Sequence, residues 1–356
     1  MYRAVLLTSI PSPYMVELVD AINKAGRWIV TVIYIEKQSR DRRWSSTLLN
    51  HDHIFFQSNN SVDIEYVIKN SDLIVIGSLW GKATSTILDM QREFLIPLVL
   101  WGEKPGAVHR HFLAENVRRL MIRWRFRRAR TVWGIGEWAV AEYKTCFPNV
   151  SQFQSMPYAS NLEDYFKIER QPVDVMATHK PIRFLYSGSL IHRKGVDLLV
   201  DAFNTVLEEG HDACLTLMGH GELEKELRSK VKDAHRDKVV FLGFKDWHEL
   251  PAVYARHDVL VAPSRYDGWG LIVIEGLAAG MPVIATDRMG AALDFIKNGE
   301  NGWVISASNE KYLVTAIKSA LRAPVCEMSC AARNSVQMWT LETAANLWCD
   351  LADRAL

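Results

Sequence analysis

Several broad classes of protein are excluded by what this chain of 356 residues lacks. Its five cysteines (Cys146, Cys214, Cys326, Cys330 and Cys349) are odd in number and scattered, so neither a disulfide framework nor a zinc site is expected. Cys326 and Cys330 read as helix packing, and the usage as a whole suits a reducing compartment. Charge of one sign is missing too. Lys and Arg number 42 against 41 Asp and Glu, and a formal net charge of +1 gives no global pull toward nucleic acid. No apolar run reaches the ~18 residues of a membrane span. The apolar start "RAVLLTSI" is followed by "PSPYMVELVDAI", which has no small-residue cleavage site, so it reads as a first strand and loop rather than a leader. A cytoplasmic location is expected. Short-period repeats, low-complexity segments and an Asp-x-Asp metal motif in a strand-end loop are also missing. The composition is 49% hydrophobic, enough for large packed cores, and the length suggests two domains of roughly 150 residues each.

Short β-branched runs alternate with helical patterns. In the first half the strands are "RAVLLTSI", "WIVTVIYI", "DLIVIGS", "IPLVLWG" and "TVWGIG". In the second they are "RFLYSGS", "ACLTLMG", "VVFLGF", "DVLVAPS", "PVIAT" and "GWVIS". Helices such as "YMVELVDAINKAG", with Gly26 as its stop, "GVDLLVDAFNTVLEEG" and "ELEKELRSKVKDAH" intervene. Two such sets predict an α/β protein of two Rossmann-like, doubly wound parallel sheets. A single (β/α)₈ barrel is the alternative. The polar stretch Asn161 to Pro181 marks the expected hinge.

In open α/β sheets ligands sit beyond the carboxyl ends of strands, so the loops there carry the chemistry. In "YSGSLIHRKGVDLL", Gly188 and Ser189 follow a strand, and Lys194 immediately precedes a helix. A lysine opposes the macrodipole at that end, and a bound anion such as phosphate would resolve the conflict. A solvated lysine in a turn is the plainer reading. In "SRYDGWGLIVIEGLAAG", Asp267 precedes Gly268, Trp269, Gly270 and Leu271, whose backbone can approach a ligand. Asp267 also suits a simple turn. Glu275 is the only charge from Leu271 to Ala279, with Leu271, Ile272, Ala278 and Ala279 as its helical neighbours. A helix apolar all round is a buried one, and a carboxylate on it needs a partner that its own helix does not supply. The two hydroxyls of a ribose would serve. A third loop, after "VVFLGF", offers backbone near Phe244 to a base edge, or is a plain connection.

In order and spacing, "YSGSLIHRKGVDLLVDAF", "VVFLGF", "DVLVAPSRYDGWGLIVIEGLAAGMPVIAT" and "IKNGENGWV" resemble the motifs of the family 4 retaining glycosyltransferases. The likeness spans roughly Ile182 to Val304. It implies the GT-B fold, two Rossmann-like domains facing a central cleft. Residues 1–165 would be the acceptor side, 166–338 the donor side, and 339–356 a helix returning to the first domain. The implied donor is a nucleotide-diphosphate sugar, UDP-linked or alternatively GDP-linked. By the same resemblance Glu275 binds the ribose, Asp267 the transferred sugar, Lys194 the diphosphate, and amides of residues 268–271 complete the cradle. Two positions depart from the pattern. Asp267 stands where Glu is usual, and Ser189 stands where the family has arginine, a charge that Arg193 is in place to supply. After "IPLVLWG" the family histidine is replaced by "EKPG", which puts Glu103 there, either orienting sugar and acceptor or simply pairing with Lys104. No metal or other cofactor is implied.

From Arg110 to Arg130 there are eight arginines against the single acid Glu115. Leu113, Val117, Leu120, Met121 and Trp124 form one helical stripe, and Arg119, Arg123, Arg127 and Arg130 form another. Either the apolar stripe lies in the core beneath a solvated basic face, or the arginine face, with Trp124 or Phe126 nearby, docks on anionic lipid. The second reading suits an enzyme peripheral to the membrane with a lipid-linked glycan acceptor, as in surface polysaccharide or lipopolysaccharide synthesis. A nucleotide-sugar epimerase of the same fold class and a noncatalytic nucleotide-sugar-binding partner are the rival functions.

Overall fold

The computed structural model describes residues 1–38, 48–57, 61–105, 112–148, 150, 152–170 and 181–356. They form two compact units, Met1–Asn161 with Trp339–Leu356, and Leu162–Met338.

The first unit holds seven strands. These are β1 (Tyr2–Thr8), β2 (Trp28–Tyr34), β3 (His53–Phe55), β4 (Leu73–Ile76), β5 (Leu98–Gly102), β6 (Thr131–Gly134) and β7 (Phe153–Ser155). All pairings are parallel, in the order β3-β2-β1-β4-β5-β6-β7. Val5, Leu7, Ile74, Ile76, Leu98 and Leu100 fill one core, as continuous apolar strands in a sheet covered on both faces should. Helix Pro13–Lys24 starts with proline at its first position and is followed by Gly26 at φ +74°, the expected stop.

Segment Trp339–Leu356 completes this unit. Helix Leu341–Ala355 opens with a reciprocal cap between Thr340 and Thr343. It lays Trp348 edge-on to Trp28 (5.9 Å between centroids) and to Trp133 (5.8 Å). The Trp28 indole donates to Asp353 at 2.7 Å, and Arg27 pairs with Asp350 at 2.6 Å.

The second unit repeats the plan with β8 (Ile182–Ser187), β9 (Ala213–Met218), β10 (Val239–Gly243), β11 (Val259–Ala262), β12 (Val283–Thr286) and β13 (Gly302–Ile305). The order is β10-β9-β8-β11-β12-β13, again all parallel. Chain direction across the sheet reverses between β8 and β11, the place where such sheets bind ligands beyond their carboxyl ends.

The boundary between the units falls at Asn161/Leu162, at the start of the expected hinge. Residues 171–180 lie outside the described residues, but Leu162–Arg170 belongs firmly to the second unit. Arg170 donates to the carbonyls of Tyr254 (3.2 Å), His257 (2.5 Å) and Ala279 (2.6 Å), and burial pushes its pKa down to about 10. Arg333 holds the carbonyls of Phe166 and Ile168. The helix expected over "ELEKELRSKVKDAH" is also shorter, Glu224–Lys230. Asn204, on the neighbouring helix Val196–Glu208, donates to the Lys230 carbonyl at 2.9 Å and accepts from the Lys232 amide at 3.4 Å, which ends it there.

Candidate functional site

The loops after β8 and β11 meet at the reversal of strand order, and glycines let them meet. Gly195 has φ +68°, and a Cβ there would fall on the Pro263 carbonyl oxygen. Across this contact the Arg265 amide donates to the Arg193 carbonyl at 2.9 Å. The Arg265 guanidinium forks onto Asp197, with both bonds at 2.6 Å, and also reaches the His192 carbonyl. Burial alone would raise the Asp197 pKa, yet the bonds from Arg265 outweigh it and hold the carboxyl below its usual range.

Lys194 closes a short turn, His192–Lys194, just before helix Val196–Glu208. Its ammonium is ion-paired with Oδ2 of Asp267, both side chains being less than one-fifth exposed. Arg193 lies 4.0 Å from the other carboxylate oxygen and donates to the Tyr266 carbonyl at 3.0 Å. The negative charge that the position of Lys194 calls for is therefore supplied here by Asp267. Two cations and one carboxylate leave this corner with surplus positive charge. Tyr186, fully buried beneath it, donates to the Ser189 carbonyl at 2.6 Å. Its phenol is pushed upward by burial and by the nearby charge of Asp267.

Asp267 is fixed through its backbone, its amide donating to the Arg288 carbonyl at 2.9 Å. Gly268, Trp269 and Gly270 are buried behind it. Gly270, at φ +89°, caps helix Leu271–Ala278, whose opening amides have no acceptor within the helix. That helix is buried along Val273, Ile274, Gly276, Leu277 and Ala278, as its composition requires. Glu275 itself is half-buried rather than enclosed. The partner its own helix could not give comes from a neighbour, since the Tyr254 hydroxyl donates to Glu275 Oε2 at 3.1 Å. Burial first, then the Glu275 charge, pushes the Tyr254 phenol far up, so it stays a donor, with Ser187 bonded to the same hydroxyl.

Phe244 follows β10 and is exposed, while the Gly243 carbonyl accepts from the Gly219 amide at 2.9 Å, tying that loop to the one after β9. Gly188, Ser189, Arg193, Lys194, Asp267–Leu271 and Glu275 thus lie on loops and a helix start of the second unit. Glu103 belongs to the first, directly after β5, with an exposed side chain and a carbonyl that accepts from Tyr143 at 3.0 Å. Its expected partner Lys104 pairs with Glu142 at 3.7 Å and sits over the Trp138 ring at 4.6 Å.

The basic segment departs from the first of its two expectations. Arg110 lies outside the described residues. Helix Phe112–Arg125 buries Ile122, and Phe126 behind it, while Val117, Leu120, Met121 and Trp124 are exposed. The apolar stripe is therefore not in the core. Phe126 is fully buried and unavailable to lipid. Three of the four stripe arginines also hydrogen-bond within the chain, Arg119 to Glu142 (2.7 Å), Arg127 to the Trp124 carbonyl (3.1 Å) and Arg130 to the Ala355 carbonyl (3.2 Å). No helix among the described residues is long and apolar enough to cross a membrane.

Sequence reasoning missed Tyr254, Tyr186, Ser187 and the Arg265–Asp197 fork. Asp197 and Arg265 lie inside the quoted motifs and were legible as charges, whereas Tyr254 gave no signal beyond an aromatic in an apolar segment.

Residues 167–335 match the family model described as "Glycosyl transferases group 1". An uncharacterized glycosyltransferase (MJ1607) of Methanocaldococcus jannaschii is 36% identical over 137 residues, 38% of this chain and 34% of that protein. The lipopolysaccharide core biosynthesis mannosyltransferase LpsB of Rhizobium meliloti is 35% identical over 36% of this chain and 38% of its own length. These alignments span little more than a third of either relative. Among solved structures, Anabaena Alr3699/HepE in complex with UDP and glucose superposes with a TM-score of 0.76 at 16% identity, covering 99% of this chain and all of that one. The apo lipopolysaccharide outer core galactosyltransferase WaaB gives 0.77 at 14% identity, covering both chains entirely. The fold is GT-B.

Proposed function

We propose that this chain, whose fold and family match are those of a GT-B glycosyltransferase, moves a sugar from a nucleotide-diphosphate donor to a glycan or lipid-linked glycan. The observation that carries the reading is the convergence of Lys194, Arg193 and Asp267 at the strand-order reversal of the second unit, with Glu275 on the helix that follows. On this reading Lys194 and Arg193 take the diphosphate, and the amides opening helix Leu271–Ala278 add donors to it. Asp267, released from Lys194, turns to hydroxyls of the transferred sugar. Glu275, held by Tyr254, accepts from the ribose, and backbone near Phe244 meets the base. The chemistry needs no metal, because the cations and amides carry the developing phosphate charge.

UDP as the nucleotide is supported by the Anabaena protein solved with UDP and with UDP-glucose. Retention of anomeric configuration is part of the proposal, with the leaving phosphate assisting deprotonation of the acceptor hydroxyl and Glu103 orienting the reactants. An acceptor in surface polysaccharide or lipopolysaccharide synthesis is supported by relatives named for those roles, and it implies work at the inner face of a membrane. The test is calorimetry with UDP- and GDP-sugars, followed by turnover with glycan acceptors and assignment of the product anomer by NMR. Absence of nucleotide binding sinks the proposal. Isomerised donor without an acceptor would mark an epimerase, and tight donor binding without turnover on any acceptor a binding partner.

A further inference from the structure

Helix Phe112–Arg125 carries a second apolar face that its own unit does not cover. Val117 is 57% exposed, Leu120 64%, Met121 51% and Trp124 64%. At 3.6 residues per turn these four lie within about 100° of arc, opposite the buried Ile122 and Phe126. A surface helix ordinarily shows polar residues there. Contiguous apolar side chains in that place mark an interaction surface.

Charge identifies what covers it. From Asn116 to Arg130 there are seven arginines and no acidic residue. Arg119 and Arg130 are drawn into the fold, as is Arg125, which donates to Ser85 at 2.8 Å. Arg123, Arg127 and Arg128 remain exposed around the stripe. Arg127 stands 5.3 Å from the centroid of Trp124 and donates to the Trp124 carbonyl at 3.1 Å, so cation and indole share one edge. A second copy docking by this same face would set arginine against arginine. An anionic bilayer satisfies both parts, with aliphatic tips below the headgroups and indole and guanidinium groups at their level.

We propose that Val117, Leu120, Met121 and Trp124 insert into the headgroup boundary of an anionic membrane, with Arg123, Arg127 and Arg128 binding lipid phosphates around them. The inserting face is the apolar stripe, not the arginine stripe that the sequence suggested. The inference rests on the reading of a membrane-held acceptor, and it places the first unit at the surface where such an acceptor resides.

Sedimentation of the full chain with phosphatidylcholine vesicles, with and without phosphatidylglycerol, tests it in the absence of donor and acceptor. Binding is expected only with the anionic lipid. The double variant Leu120→Ser/Trp124→Ser should lower partitioning roughly tenfold at both low and moderate salt, whereas Arg123→Ser/Arg127→Ser should weaken it mainly at low salt. Both substituted pairs are on the surface, and an unchanged urea unfolding midpoint of each variant would confirm an intact fold. No sedimentation with anionic vesicles overturns the proposal, as does binding indifferent to the apolar variant. So does a self-association by light scattering that the apolar variant abolishes. Vesicle binding by a protein that binds no nucleotide would support the docking face and overturn the donor reading alone.

Discussion

Lys194 of the loop after β8 is ion-paired with Asp267 of the loop after β11, and Arg193 stands 4.0 Å from the other oxygen of the same carboxylate. The two residues expected to hold different parts of one donor hold each other instead. On the proposed reading, an arriving diphosphate would compete with Asp267 for Lys194 and release the carboxylate at the moment a sugar is present. Donor binding and readiness of Asp267 would thereby be coupled.

On the proposed reading, replacing Lys194 by alanine removes the cation nearest the departing phosphate, and it takes from Asp267 its nearer ion-pair partner. Turnover should fall by about 10²–10³-fold, the loss typical of a preorganised charge at a developing anion. Steady-state kinetics with the donor identified by calorimetry checks this. Turnover within a factor of two of wild type would take Lys194 out of the diphosphate site.

For Glu275, the amide in Glu275→Gln offers one acceptor oxygen where the carboxylate offers two. Nucleotide affinity should weaken by roughly tenfold, about 1.4 kcal/mol, with a smaller loss in Tyr254→Phe, which removes only the hydroxyl that fixes Oε2. Titration calorimetry with UDP distinguishes the two. Equal affinity in Glu275→Gln and wild type would refute the ribose assignment.

Much of this site was legible in the sequence, and the reasons are physical. Lys194 before a helix, glycines after a strand and a lone carboxylate on an apolar helix are local conflicts, visible without a structure. Their resolutions are tertiary, and so were not. Asp267 answers Lys194 from 73 residues away, and Tyr254 answers Glu275 from 21. The eleven longer strands announced themselves by β-branched runs. The short edge strands β3 and β7 have three residues each, too few for a pattern, and exist because a neighbour offers its backbone. The arginine-rich helix misled because periodicity shows that two stripes exist, not that a third face, with Ile122 and Phe126, is the one in the core.

Gly195 gives a test of the loop junction that touches no charged group. In Gly195→Ala both the positive φ and the Pro263 carbonyl oppose the new methyl. Gly210, at φ +82° with nothing within 4 Å of a Cβ, is the control for φ alone. Gly210→Ala should cost about 1 kcal/mol of stability. Gly195→Ala should cost more and also weaken nucleotide binding, read by urea denaturation and calorimetry. Equal effects of the two would mean that the loops need not approach closely.

His257 predicts a pH dependence. Its ring lies 2.8 Å from the Thr216 hydroxyl and 2.7 Å from the Val253 carbonyl, and burial holds its pKa below the ordinary 6.5. The unfolded chain takes up a proton near that value and the native state does not. Stability from the neutral ring is therefore complete above about pH 6.5 and is lost as the pH falls through the lowered native value. Urea midpoints at about pH 7.5 and about pH 5.5 should differ less in His257→Gln than in wild type. An identical decline would assign the effect to another group.

The helix carrying Trp348 has a consequence for how the protein comes into being. Synthesis runs through the first unit, then through the whole of the second, before Trp339–Leu356 emerges. The second unit is contiguous in the chain, whereas the first needs a segment that follows the whole of the second. The first must wait, with Trp28 and Trp133 lacking the indole that covers them and Arg27 lacking Asp350. The two units therefore differ in what truncation costs them, and a chain cut short before Trp348 is expected to keep every residue of the second unit while leaving Trp28 and Trp133 uncovered in the first.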